Sequence, residues 1–144
     1  MIQRPRLIII DDDPSYRQPI ATHLAKDFQI VEATCGQEGI SRMLTMHPDL
    51  AIFGMPLRSC DGLQTLRTIS ANERLREILL MLLATPPAEL EDLHNRGFHV
   101  DDLMIKDRSL WKTLTPRLWN LLRSRDPALS QSPTRTSNTQ KCET

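Results

Sequence analysis

The chain has 144 residues, enough for one well-packed domain and too few for two. Its 18 Lys and Arg residues balance 18 Asp and Glu residues, so it lacks the basic excess that phosphate backbones attract, and we expect no nucleic acid partner. No apolar run approaches the roughly 18 residues of a membrane span, and the four apolar residues at 7–10 are too few for a signal peptide. The three cysteines match no zinc or disulfide spacing, so we expect free thiols and a cytoplasmic location.

Five short apolar segments predict strands. The runs at 7–10, 50–53, 78–83 and 100–105 are nearly continuous, which is typical of strands covered on both faces. The segment at 28–32 alternates apolar and polar residues, which indicates an edge strand.

Helical patterns separate these strands. The first four helices are predicted to begin at Asp13-Pro14, Gly36, Asp61 and Thr85-Pro86. The fifth spans 108–123, and Pro116 inside it should kink or restart the helix, since proline lacks the backbone N–H.

This alternation of strands and helices predicts an α/β fold, a doubly wound parallel sheet of five strands with five helices on its two faces. Right-handed crossovers and a second strand at the edge give the order 2-1-3-4-5, the flavodoxin-like order. We assign residues 1–125 to this domain. Residues 126–144 are polar and almost free of apolar side chains, so they are predicted to be a disordered tail or linker.

Charged residues follow two of the predicted strands. Asp11 and Asp12 come after the first and Lys106 after the fifth, and the carboxyl ends of parallel strands meet at one edge, where ligands bind. Clustered carboxylates need a divalent cation or Lys106 to balance their charge. Two interpretations stay open: a binding site, or Asp11 and Asp12 paired with Lys106 while Asp13 caps a helix.

The whole arrangement resembles the receiver domain of two-component response regulators over about residues 6–124. The resemblance rests on LIIIDDDP at 7–14, HPDLAIF at 47–53, DG at 61–62 and DDLMIK at 101–106. It implies that Asp11 and Asp12 help to bind Mg²⁺ and that Lys106 contacts a phosphoryl group. It also implies an aspartate after the third strand that takes the phosphoryl group from a histidine kinase, a Ser or Thr after the fourth, and a switch aromatic before the lysine.

Three positions depart from the family pattern. Gly54 stands where the acceptor aspartate would be, Leu83 or Ala84 at the Ser/Thr position, and Leu103 at the switch aromatic. We therefore expect a pseudo-receiver that binds a protein partner, such as a signalling effector or a kinase-related protein, and is not an enzyme. With only Asp11 and Asp12 left as ligands, we expect no cofactor or weakly bound Mg²⁺.

The partner surface is expected on the fourth helix, fifth strand and fifth helix, with Trp111 and Trp119 as anchors. The alternative for either tryptophan is core packing, and a homodimer through the same surface is a further option. Two other functions stay open: a phosphorylatable regulator that uses a different aspartate and controls a separate effector, and an adaptor or a regulator that has lost its output domain. An enzyme on this fold would call for a Gly-rich loop where the chain has three aspartates.

Overall fold

A computed structural model describes residues 4–55, 62–84, 98 and 100–125 of the chain. The strands are β1 (Arg6–Ile10), β2 (Gln29–Ala33), β3 (Leu50–Met55), β4 (Leu79–Ala84) and β5 (Asp102–Ile105). The helices are α1 (Pro14–Leu24), α2 (Gly36–Met46), α3 (Gly62–Ala71), α4 (Glu73–Arg76) and α5 (Leu110–Arg125). None of the helices within these ranges is long and apolar enough to cross a bilayer.

All five strands pair in parallel in the order β2-β1-β3-β4-β5. The predicted α/β class and strand order are confirmed. β1, β3 and β4 lie inside the sheet and are almost wholly apolar, because both of their faces are covered by helices.

The side chains of the sheet divide into two apolar clusters, one on each face. On one face, strand residues pack against the buried sides of α1 and α5, and on the other they pack against α2, α3 and α4. In α5 the buried leucines recur at every fourth position, which keeps one side of the helix on the sheet. They are Leu110, Leu114, Leu118 and Leu122.

The ends of several elements differ from the prediction. β3 continues to Met55, because Gly54 and Met55 pair with the last two residues of β4. β5 begins only at Asp102, and the short helix α4 was not predicted. The expected restart at Pro116 is wrong: α5 runs through the proline, and the burial of its leucine stripe offsets the missing hydrogen bond. The predicted helix from Thr85 and the tail at 126–144 lie outside the described residues.

Side chains define where α1 and α2 begin. Asp13 caps α1 as predicted, since its carboxylate accepts from the Ser15 N–H at 2.9 Å. Before α2, the Thr34 N–H donates to Glu38 at 2.8 Å. That bond, with those from the Thr34 hydroxyl and Arg42, holds the pKa of the Glu38 carboxyl below its usual range.

The end of α2 leads directly into β3. His47 adopts a left-handed conformation (φ 50°), and its N–H donates to the Met43 carbonyl, which closes the helix. Pro48 prevents any continuation, and the Asp49 carboxylate accepts from the Arg6 N–H at 2.9 Å, which ties the start of β3 to β1.

Candidate functional site

Asp11 lies immediately after β1, and its side chain is 2% exposed. Its N–H donates to the Ala33 carbonyl at 3.1 Å, so the β1–β2 pairing fixes its backbone. One carboxylate oxygen, Oδ1, accepts from the Asp13 N–H at 2.9 Å, and the other, Oδ2, lies 3.1 Å from Lys106 Nζ. Both oxygens therefore have a donor from the protein itself.

Lys106 follows β5, and its side chain is 3% exposed. Its backbone N–H donates to the Ala84 carbonyl at 2.9 Å, which anchors it to the end of β4. The ammonium group pairs with Asp11 and also lies over the ring of Tyr16, with Nζ 4.5 Å from the ring centroid. This geometry is that of a cation–π contact, in which the π face of the ring attracts the cation.

Gly54 lies in β3 between β1 and β4, on the side of the sheet that carries Asp11. A β-carbon added to Gly54 would lie 2.1 Å from Asp11 Oδ2 and 2.5 Å from Asp11 Cγ. The Asp11 carboxylate thus fills the space in which a side chain at position 54 would begin. The structure brings together three of the residues singled out in the sequence: Asp11, Gly54 and Lys106.

Apolar side chains stand at the other positions named in the sequence. Leu83 pairs with Gly54 across β3 and β4, and its side chain is buried in the cluster under α1 and α5. Ala84 pairs with Met55 and belongs to the opposite cluster, against which Leu103 also packs. Neither residue at the end of β4 offers a hydroxyl, and Leu103 offers no ring.

Sequence reasoning missed two residues in the first turns of α1. Tyr16 was not among the candidate site residues, yet its ring covers Lys106. Arg17 donates to the Asp11 carbonyl at 2.9 Å and pairs with Glu32 at 2.9 Å, which ties α1 to the end of β1 and to the edge strand β2. The position of both residues in the sequence could have indicated their role, because a helix that starts three residues after Asp11 must pass above the ends of the strands.

The oxygen ligands at this edge are a poor set for a divalent cation. Within the part of the chain that the structure describes, no three His, Cys, Asp or Glu side chains group closely enough to hold a metal ion. Asp12 is half-buried beside Asp11 in the chain. Mg²⁺ requires near-octahedral oxygen ligands, whereas here Asp11 is bonded to an ammonium group and Gly54 supplies no oxygen.

The two tryptophans of α5 differ in how far they are buried. Trp119 is half-buried and stacks on Phe28, with ring centroids 5.1 Å apart, so it follows the core-packing alternative. Trp111 makes an edge contact with His23 of α1 at 5.3 Å and is 39% exposed, the one exposed large hydrophobic residue within the described ranges. Only Trp111 is therefore available as a surface anchor.

Comparisons with known proteins agree with this architecture. The family model described as "Response regulator receiver domain" matches residues 7–110. The chain is similar to the probable transcriptional regulator ycf27 of Cyanophora paradoxa, with 26% identity over 96% of this chain and 57% of that protein. It is also similar to the DNA-binding dual master transcriptional regulator RpaA of Synechocystis sp., with 28% identity over 74% of this chain and 48% of that protein. The chain thus spans about half the length of these curated relatives.

A solved structure gives the same fold. The response regulator protein TrrA of Thermotoga maritima, crystallised in complex with Mg²⁺ and BeF, superimposes with a TM-score of 0.70. The match covers 81% of this chain and 98% of that one at 20% sequence identity.

Proposed function

Since the chain belongs to the response regulator receiver domain family, we propose that it is a receiver module that signals by binding a protein partner without accepting a phosphoryl group. The observation that carries the proposal is Gly54. It lies at the edge of the sheet that holds Asp11 and Lys106, and the Asp11 carboxylate occupies the space of its missing side chain.

The chemistry of phosphoryl acceptance supports this reading. An acyl phosphate requires a carboxylate oxygen that can attack phosphorus, and glycine has none. Asp11 is a poor substitute, because it is buried and both of its oxygens already accept hydrogen bonds from the protein. Asp49 precedes β3 at the opposite end of the strand, roughly 16 Å away for five extended residues, and is bonded to Arg6.

The residues around Gly54 point the same way. A hydroxyl ligand for phosphate is missing at both Leu83 and Ala84, and the switch aromatic is replaced by Leu103. Lys106, which would contact the phosphoryl group in the family, is paired with Asp11. We therefore propose that acceptor, phosphate ligand and switch have been lost together, and that resident Mg²⁺ is weakly bound or absent.

A protein partner is the remaining route for a signal. We propose a signalling effector or a kinase-related protein that docks on α5, where Trp111 is exposed. The balanced charge of the chain argues against direct contact between this domain and nucleic acid. The chain matches only about half of the length of these relatives, so the DNA binding named for RpaA is not transferred to this domain.

Mass spectrometry of the intact protein after incubation with acetyl phosphate and Mg²⁺ tests the proposal. We expect no gain of a phosphoryl group by the wild type. The Gly54→Asp variant, which restores a carboxylate, should gain one, and Gly54→Asn, of the same size without the charge, should not. A phosphorylated wild type would contradict the proposal, and mapping the modified residue would identify the aspartate that accepts the group.

A further inference from the structure

The Asp11 carboxylate occupies the space in which a side chain at position 54 would begin. A β-carbon at position 54 would lie 2.1 Å from its Oδ2, 2.5 Å from its Cγ and 3.0 Å from its Cβ. Because real non-bonded carbon contacts are not found below about 3 Å, this position of Asp11 and any side chain at position 54 exclude each other.

The carboxylate is also held where it is. Lys106 Nζ lies 3.1 Å from Oδ2, and the Asp13 N–H donates to Oδ1 at 2.9 Å. Arg17 donates to the Asp11 carbonyl at 2.9 Å, which fixes the backbone of Asp11. The ring of Tyr16 covers the Lys106 ammonium group. Moving Asp11 away would leave the Lys106 charge buried and unpaired, which is strongly unfavourable.

We propose that Asp11 and Gly54 act as one unit, in which Asp11 is the built-in occupant of the pocket. Its carboxylate takes the space of a β3 side chain and holds Lys106 in a single state that needs neither phosphoryl group nor metal ion. Gly54 is then a steric requirement of the closed pocket as well as a lost acceptor. The inference rests on the proposed function for the identity of the pocket, whereas the coupling between the two residues can be measured by itself.

A double-mutant cycle measures this coupling. Thermal unfolding is followed by circular dichroism for the wild type, Gly54→Ala, Asp11→Ala and the variant with both substitutions. The φ of Gly54 lies outside the left-handed region, so alanine would otherwise be tolerated and would even restrict the unfolded chain. We expect Gly54→Ala to lower the Tm of the wild type by roughly 5 °C or more, because it expels Asp11 from its pair with Lys106.

In the Asp11→Ala background, Gly54→Ala should lower the Tm by less than about 2 °C, because Asp11 Oδ2 and Cγ, the two atoms nearest to the added β-carbon, are gone. Equal losses in the two backgrounds, or no loss in the wild type, would overturn the proposal. Phosphorylation of the wild type would overturn the proposed function and leave this coupling intact, so the two failures are distinguishable.

A second measurement is independent of whether Asp11→Ala folds. In Gly54→Ala, the Asp13 amide should lose its bond to Asp11 Oδ1, which NMR detects as an upfield shift of the amide proton and faster hydrogen exchange. The Ser15 amide, bonded to Asp13 at 2.9 Å, serves as the internal control and should not change. An Asp13 amide that is unchanged in Gly54→Ala would also refute the proposal.

Discussion

The Lys106 ammonium group lies at the carboxyl edge of the sheet with almost no contact with water, and transfer of such an ion out of water costs several kcal/mol. Its contacts with the Asp11 carboxylate and the Tyr16 ring offset that cost. Removing one partner therefore measures the cost of leaving the other charge buried and uncompensated.

Replacing Lys106 by methionine should lower the free energy of unfolding by about 3 kcal/mol, because the Asp11 carboxylate stays buried without its counter-ion. The matched control is Lys112→Met on the exposed side of α5, which should change it by less than about 0.5 kcal/mol. Urea unfolding at neutral pH measures both. Similar values for the two variants would mean that Asp11 and Lys106 contribute no more than a surface pair.

The sequence was sufficient to bring Asp11 and Lys106 together, because both follow strands of one parallel sheet and their ends meet. It was not sufficient to show that Asp11 enters the space beside Gly54, since that depends on a side-chain rotamer. Tyr16 was missed for a related reason, since the position of its ring over Lys106 depends on the side-chain conformations of both residues.

At the scale of elements, the two tryptophans of α5 differ in burial. Trp119 stacks on Phe28 next to the leucine stripe, whereas Trp111 is 39% exposed. Trp119 therefore supports the packing of α5, whereas Trp111 keeps apolar surface in contact with water.

Urea unfolding should separate these roles. Trp119→Ala is expected to lower the free energy of unfolding by about 2 kcal/mol, since it removes a half-buried ring and its aromatic contact. Trp111→Ala should cost less than about 1 kcal/mol, because much of its ring already contacts water. A larger loss for Trp111→Ala than for Trp119→Ala would contradict the assignment of Trp111 to the surface.

Element boundaries were less predictable than element types. The apolar run at 50–53 predicted a strand, but the extension of that strand to Met55 depends on pairing with residues of β4, which exists only in the folded sheet. Pro116 was expected to interrupt α5, yet four buried leucines continue on both sides of it. In both cases tertiary packing overrode a local signal.

At the scale of the whole molecule, the strand order followed from the alternation of strands and helices together with the handedness of crossovers. The residues of the candidate site share one face of this sheet: Asp11, Gly54, Lys106 and Tyr16 meet on the face covered by α1 and α5. Whether this domain responds to Mg²⁺ is decided by the charge gathered at that one edge.

We expect the Tm of the wild type to be independent of added MgCl₂. Asp11 is bonded to Lys106, and Gly54 supplies no ligand, so little negative charge is available to a cation. In Gly54→Asp the new side chain should expel Asp11 toward Asp12 and add a third carboxylate at this edge, a set that suits Mg²⁺.

A ligand that binds only the folded state stabilises it by about 2.7 kcal/mol when its free concentration is a hundredfold above Kd, which corresponds to several degrees in Tm. Gly54→Asp should therefore melt higher as MgCl₂ is raised, while Gly54→Asn, which expels Asp11 without adding a charge, should respond less. NaCl at the same ionic strength separates binding of the divalent cation from charge screening. A rise in the Tm of the wild type with MgCl₂ would mean that the metal ion draws Asp11 away from Lys106, and the pocket would then be closed only while no cation is present.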